Sequence, residues 1–178
     1  IPIQRLIDAG HLVPVIAKRG EVTIDTSEVH KRGGEYIPSE LQKAATAGDT
    51  TSHAVADLLK RGAQRKSWLV FTTGCDHAKQ VRDALTESGI TSEMILGDTP
   101  KRARARFIDE HRRGVIRALV SVDTLTTGYN NPRLDLIANL RPTASPGLWV
   151  QMIGRGTRTS PGKDNCLLLD YTDNSLRI

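Results

Sequence analysis

Aromatic residues make up only 4% of this 178-residue chain, too few for base-stacking platforms to be its main binding device. Cysteine is nearly absent. Cys75 and Cys166 lie far apart and form no metal-spaced pair. They fit a reducing cytoplasm as two core residues, and a cytoplasmic location is expected. No apolar run approaches the ~20 residues of a membrane span, and no signal-peptide pattern opens the chain. A phosphate cradle, Gly-x-x-x-x-Gly-Lys-Ser/Thr, is also missing. In the one Gly-Lys pair, Gly162-Lys163, five residues separate Gly162 from Gly156 instead of four, and Asp164 follows it. Asp109-Glu110-His111-Arg112 spells an acidic magnesium box in the wrong context. It lies inside a helical pattern whose apolar stripe is Ala103, Phe107 and His111, spaced by four. Asp109 and Glu110 are therefore expected in solvent, with His111 packed on a sheet.

What is present is a length sufficient for one domain with a full core. The net charge of +5 suits an acidic partner, nucleic acid first. The chain opens at Ile1 without a methionine and is expected to be a piece of a longer protein. Residues 1–65 read as a linker and lead-in, punctuated by Pro2, Pro14, Gly20, Gly33, Gly34 and Pro38. Short strands are expected at residues 13–16 and 21–24. A helix is expected from Ser39, as its N-cap, to Ala47. Another should follow Asp49 and end near Gly62, burying Ala54, Val55, Leu58 and Leu59.

From residue 66 onward apolar runs alternate with helical patterns. Strands are expected at 68–72, 92–96, 116–122, 134–140 and 166–169, with helices at 76–88 and 99–113. Apolar runs without polar alternation mark strands buried on both faces. Strand–helix alternation then predicts a parallel α/β sheet. Ligands of such sheets bind beyond the carboxyl ends of the strands.

The most telling segment is Gln151-Met152-Ile153-Gly154-Arg155-Gly156-Thr157-Arg158. On a helix, Gln151, Arg155 and Arg158 would share one face at i, i+4 and i+7. Each of the two glycines costs a helix about 1 kcal/mol relative to alanine. Paired guanidiniums suit phosphate oxygens, and glycine lets another backbone come close. The plain alternative is an exposed basic helix end. Upstream stand Leu69-Val70-Phe71-Thr72-Thr73-Gly74 and the run from Ser121 to Pro132, which contains Gly128-Tyr129-Asn130-Asn131-Pro132.

In this order and spacing these segments resemble motifs IV, V and VI of superfamily 2 helicases and translocases. The details Leu125-Thr126-Thr127-Gly128-Tyr129 and Leu140-Arg141-Pro142-Thr143 are most similar to the RadD-like and type III restriction-like branch. The resemblance implies a RecA-like three-layer α/β fold over residues 66–178, the second motor domain. It also implies an ATP and Mg2+ site shared with an N-terminal RecA-like domain of the same protein, this chain alone binding neither. Arg158 would be the catalytic finger, and Arg155 a γ-phosphate or inter-domain contact. Gln151, Gly128 and Asn130 would support the nucleotide or link the motifs. Asn130 stands where the family has an aspartate, so a carboxylate role is lost there.

Thr72, Thr73, Gly74, Gly97, Thr126 and Thr127 match nucleic-acid contacts made to phosphates, although each threonine reads equally as a turn or cap hydroxyl. Arg102, Arg106 and Arg113 form a stripe that reads as a solvated face. Arg104, at the edge of the apolar stripe, matches the motif IVa arginine. The implied function is an ATP-dependent helicase, DNA more than RNA, that takes part in DNA repair chemistry. The alternatives are a non-catalytic nucleic-acid-binding module and a restriction-type double-strand translocase subunit.

Overall fold

A computed structural model of the chain describes residues 2–122 and 129–177. Six parallel strands form the central sheet: β1 (Val15–Arg19), β4 (Trp68–Phe71), β5 (Ser92–Ile95), β6 (Ala118–Ser121), β7 (Leu136–Asn139) and β8 (Cys166–Asp170). Their order is β1-β8-β7-β4-β6-β5. β4 is central, and all four of its residues are buried. Its side chains alternate between faces as strand geometry requires. Trp68 and Val70 join one core cluster, Leu69 and Phe71 the other.

The first face is covered by α2 (Pro38–Ala45), α3 (Thr50–Arg61) and α4 (Cys75–Glu87), through Ala45, Ala54, Val55, Leu58, Ala78, Val81 and Leu85. The second is covered by α5 (Lys101–Arg112) and α6 (Pro146–Gly154), through Phe107, Ile108, Trp149 and Met152. Helices on both faces of a parallel sheet give the three-layer RecA-like fold. Leu58, fully buried, contributes about 1.5–3 kcal/mol by leaving water. Short α1 (Ile3–Asp8) and α7 (Asn174–Arg177) flank the ends. Among the described residues no helix is long and apolar enough to cross a membrane.

The first 65 residues differ from the expected linker. β1 pairs in register with β8, Val15 against Cys166 through Arg19 against Asp170, so the lead-in supplies an edge strand. β1 overlaps the strand expected at 13–16, but parallel pairing with so distant a strand leaves no local signal of its partner. β1 itself is largely exposed, and Lys18 and Arg19 blunt the edge. The strand expected at 21–24 is instead an extended loop, held by Ile24 N donating to the Tyr171 carbonyl at 2.8 Å. A hairpin not foreseen, β2 (Lys31–Arg32) and β3 (Glu35–Tyr36), turns on Gly33 and Gly34 at φ 60° and 85°. Two positive φ values in a two-residue loop are what a type I′ turn demands. α2 begins at Pro38 with Ile37 as its N-cap, so Ser39 lies inside the helix.

Asp57 of α3 is buried. It accepts from the Arg61 guanidinium (2.7 and 2.9 Å) and the Tyr171 hydroxyl (2.9 Å). Burial pushes its carboxyl up, but these donors prevail and hold it below the usual carboxylate range. Cys166 is buried as expected, whereas Cys75 is exposed at the first position of α4.

Candidate functional site

α6 starts with Pro146 in its first turn, and the Ser145 hydroxyl caps it by accepting from Leu148 N at 3.2 Å. Hairpin residue Glu35 anchors the approach, accepting from the Thr143 hydroxyl and from Ala144 N at 2.8 Å. Trp149 and Met152 point into the core, leaving Gln151 exposed.

The helix ends at Gly154, earlier than a shared helical face for Gln151, Arg155 and Arg158 requires. Arg155 is the C-cap. Arg158 stands on an extended segment that bridges Leu12, and the Thr157 carbonyl accepts from Val13 N at 2.8 Å. Gly156 lets the segment that follows the helix lie close on β8. A Cβ there would lie 2.5 Å from Cys166 Sγ, so the backbone lies directly on β8.

The three side chains still converge. With Gly154 they line one open pocket of about 420 Å3. Arg158 Nη1 donates to Asn130 Oδ1 at 2.8 Å, and Arg155 Nη1 to the Tyr129 carbonyl at 3.3 Å. Arg155 Nε is buried without a hydrogen-bond partner. Among the described residues neither arginine forms an ion pair. Burial, with the positive charge of Arg158 adding to it, draws the Arg155 guanidinium below its usual pKa. Two cations held together without a carboxylate make a site that an oxyanion relieves.

Tyr129 is itself wedged in the core. Its ring stacks on His111 at 6.0 Å, and its hydroxyl meets His111 Nδ1 at 3.3 Å. His111 Nε2 faces Ser67 Oγ at 3.2 Å. The acidic box is thus a helical segment, as expected. Asp109 pairs with Arg112 and Arg113 while His111 is buried. Gly128, Thr126 and Thr127 lie outside the described residues.

At the carboxyl end of the sheet the threonines take the plainer of their two readings. Thr72 is fully buried, its hydroxyl and amide both donating to the Ser121 carbonyl (3.1 and 2.8 Å). Thr73 is buried, and its hydroxyl and amide meet His77 Nδ1 at 2.9 and 3.2 Å. Neither presents a hydroxyl to a surface track, because the loop turns both inward against β6 and α4. Gly74 sits under the Gln42 carboxamide, which accepts from Asp76 N at 3.0 Å and His77 N at 3.4 Å. Gln42 therefore caps α4, a role no local pattern announced. Gly97 is exposed, with open space around its Cα. Arg104 reaches back to that strand end, donating to the Leu96 carbonyl at 3.1 Å.

Residues 51–160 match the sequence profile described as the helicase conserved C-terminal domain. The chain belongs to that family. This helicase C-terminal domain is 37% identical over 139 residues to irc3 of Schizosaccharomyces pombe, named as a mitochondrial ATP-dependent helicase. It is 26% identical over 171 residues to IRC3 of Saccharomyces cerevisiae, named as an ATP-dependent helicase. The matches cover 78% and 95% of this chain but only 23% and 25% of those proteins. Among solved structures, a fragment of an HsdR subunit of a type I restriction enzyme from Vibrio vulnificus YJ016 superposes with TM-score 0.72. It covers 97% of this chain and 34% of that one at 20% identity. The C-terminal half of the superfamily 2 motor is therefore the fold in hand.

Proposed function

We propose that this domain supplies Arg155 and Arg158 to an ATP site shared with an N-terminal RecA-like domain, in a DNA-directed helicase or translocase. The observation that carries the reading is the pocket of Gln151, Arg155 and Arg158, whose lining among the described residues holds two guanidiniums and no carboxylate. That donor set fits the γ-phosphate of a nucleoside triphosphate. Mg2+ belongs with the carboxylates and phosphate cradle of the other domain. When bound, ATP supplies a γ-phosphoryl group for transfer to water.

The chain's own residues act on charge. Arg158, parked on Asn130 in the lone domain, swings to the phosphate oxygens when the cleft closes. Arg155, whose Nη1 donates to the Tyr129 carbonyl, adds its positive charge beside the phosphate. A preorganised guanidinium of this kind acts mainly on the transition state. Nucleic acid crosses the carboxyl ends of the strands near Gly97 and Arg104, contacting phosphates and not base edges. The RadD-like details at residues 125–129 and 140–143 favour DNA over RNA. The lone domain, in this reading, does not turn over ATP.

The test is steady-state ATPase kinetics of the full-length protein on single- and double-stranded DNA. Arg158→Ala should lower kcat roughly 10³-fold or more, with a smaller change in KM and an unaltered melting temperature. Lysine should rescue only weakly, since it offers a point charge in place of a planar fork. Wild-type turnover in both Arg155→Ala and Arg158→Ala would exclude this role and leave a non-catalytic binding module.

A further inference from the structure

Lys163 is half-buried, and its ammonium donates to three main-chain carbonyls: Arg158 at 2.6 Å, Gly156 at 2.9 Å and Pro132 at 3.1 Å. An ammonium has three N–H donors, so all of them are used within the protein. The lysine that follows Gly162 holds backbone, not phosphate. Two of its acceptors belong to the segment that carries Arg158. The third belongs to the loop that carries Asn130.

The contacts close a ring. Arg158 Nη1 reaches Asn130 Oδ1, the chain runs on to Pro132, Pro132 O accepts from Lys163, and Lys163 returns to Arg158 O. The far side of the arginine segment is held separately, by the Leu12 bridge and by Gly156 against Cys166. Without Lys163 the carbonyls just past the end of α6 lose their donor, and the two loops are free to separate.

We propose that Lys163 is a positioning residue for Arg158. It fixes the spacing between the 130–132 loop and the 156–158 segment, and so the point from which the finger reaches the nucleotide. The proposal rests on the role assigned above to Arg158. A planar guanidinium cannot aim three donors at three carbonyls arranged around one nitrogen, so the side chain must be lysine and not merely cationic.

The experiment uses the full-length protein and DNA-stimulated ATPase, with Lys163→Met, Lys163→Arg, Arg158→Ala and the Lys163→Met/Arg158→Ala double variant. Expected are a kcat loss of roughly 10- to 100-fold for Lys163→Met, a KM for ATP within about threefold, and a smaller kcat loss for Lys163→Arg. The double variant should be no slower than Arg158→Ala alone, because residues acting as a unit are not additive. Should Lys163→Met fail to melt cooperatively, Lys163→Arg decides by the same split of kcat from KM. Wild-type kcat in a folded Lys163 variant overturns the proposal and leaves the finger reading intact. So does a double variant slower by the product of the two losses, which would place Lys163 in a separate role. Normal turnover in Arg158→Ala overturns both.

Discussion

Gly156→Ala tests whether the arginine segment is held where the structure puts it. An alanine methyl at 156 would stand 2.5 Å from Cys166 Sγ, 3.0 Å from Cys166 Cβ and 3.2 Å from Ile137 Cδ1. Ordinary carbon contacts lie at about 3.5–4.0 Å, so the segment must retreat from β8 by roughly 1 Å. Neither β8 nor β7 can give way, because Cys166 and Ile137 are fully buried. Overpacking of a filled interior costs about 1–3 kcal/mol, which in a domain of this size lowers the melting temperature by roughly 3–10 °C. Arg155 and Arg158 flank the displaced residue, and a ~1 Å misplacement can cost roughly 10²-fold in rate. Thermal melting of the domain and ATPase kinetics of the full-length protein read the two effects. Cys166→Ala removes the nearest atom but leaves the 3.0 Å contact with Cβ, so it should restore stability only in part. Gly154→Ala is the control. Its methyl meets no heavy atom within 4 Å, and the helix should gain up to ~1 kcal/mol. Equal melting of the two alanine variants, or a Gly156→Ala domain as stable as wild type, would refute the close-approach argument.

Arg104→Ala should weaken binding to single strands more than Arg113→Ala. Arg104 lies at the Leu96 strand end, whereas Arg113 is exposed and paired with Asp109. Fluorescence anisotropy across a salt series should show the slope of log affinity falling by about 0.7 for the first variant only, and equal losses would count against the strand-end track. His77 and His111 are held by burial at about 4, against ~6.5 in an unfolded chain. Below about pH 6.5 the unfolded chain takes up protons that the folded one refuses. Stability should therefore fall toward about pH 4, each histidine adding up to ~1.4 kcal/mol per pH unit. His111→Gln should roughly halve that slope in pH-dependent denaturant melts, and an unchanged slope would show that His111 is not the buried titrating group. Asp57→Ala strands the Arg61 guanidinium and the Tyr171 hydroxyl, and should cost about 3 kcal/mol by urea unfolding. Because the Asp57 carboxyl is held below its usual range, its contribution is present above about pH 4 and fades only in stronger acid.

Elements whose stability is decided locally were legible in the sequence. α3, α4 and α5 declare themselves by apolar spacing, and β4, β6 and β7 by unbroken apolar runs. What escaped was decided across the fold. β1 overlaps the strand expected at 13–16, but its place in the main sheet is decided only by the edge that β8 offers it. Thr72 and Thr73 read equally as phosphate contacts and as turn or cap hydroxyls, and only the distant Ser121 carbonyl and the fold around His77 decide between the two. Asp57 carries no local sign of burial, and the Tyr171 hydroxyl, 114 residues away, joins Arg61 in making that burial tolerable.

The arginine site shows the same division within one motif. Local spacing correctly united Gln151 and Arg155, since both follow from the α6 helix. It put Arg158 near them for the wrong reason. No helix carries Arg158 there. Leu12 from the amino end, Cys166 from β8 and Lys163 from the following loop each hold one part of a segment that has no regular structure of its own. In the role proposed for Arg158, its side chain leaves Asn130 for a phosphate while its backbone stays in place. Fixing the backbone by three distant anchors while leaving the side chain exposed meets both demands. The residues that make the motif recognisable are therefore not the residues that hold it in place, and variants of the anchors should impair turnover without touching the motif.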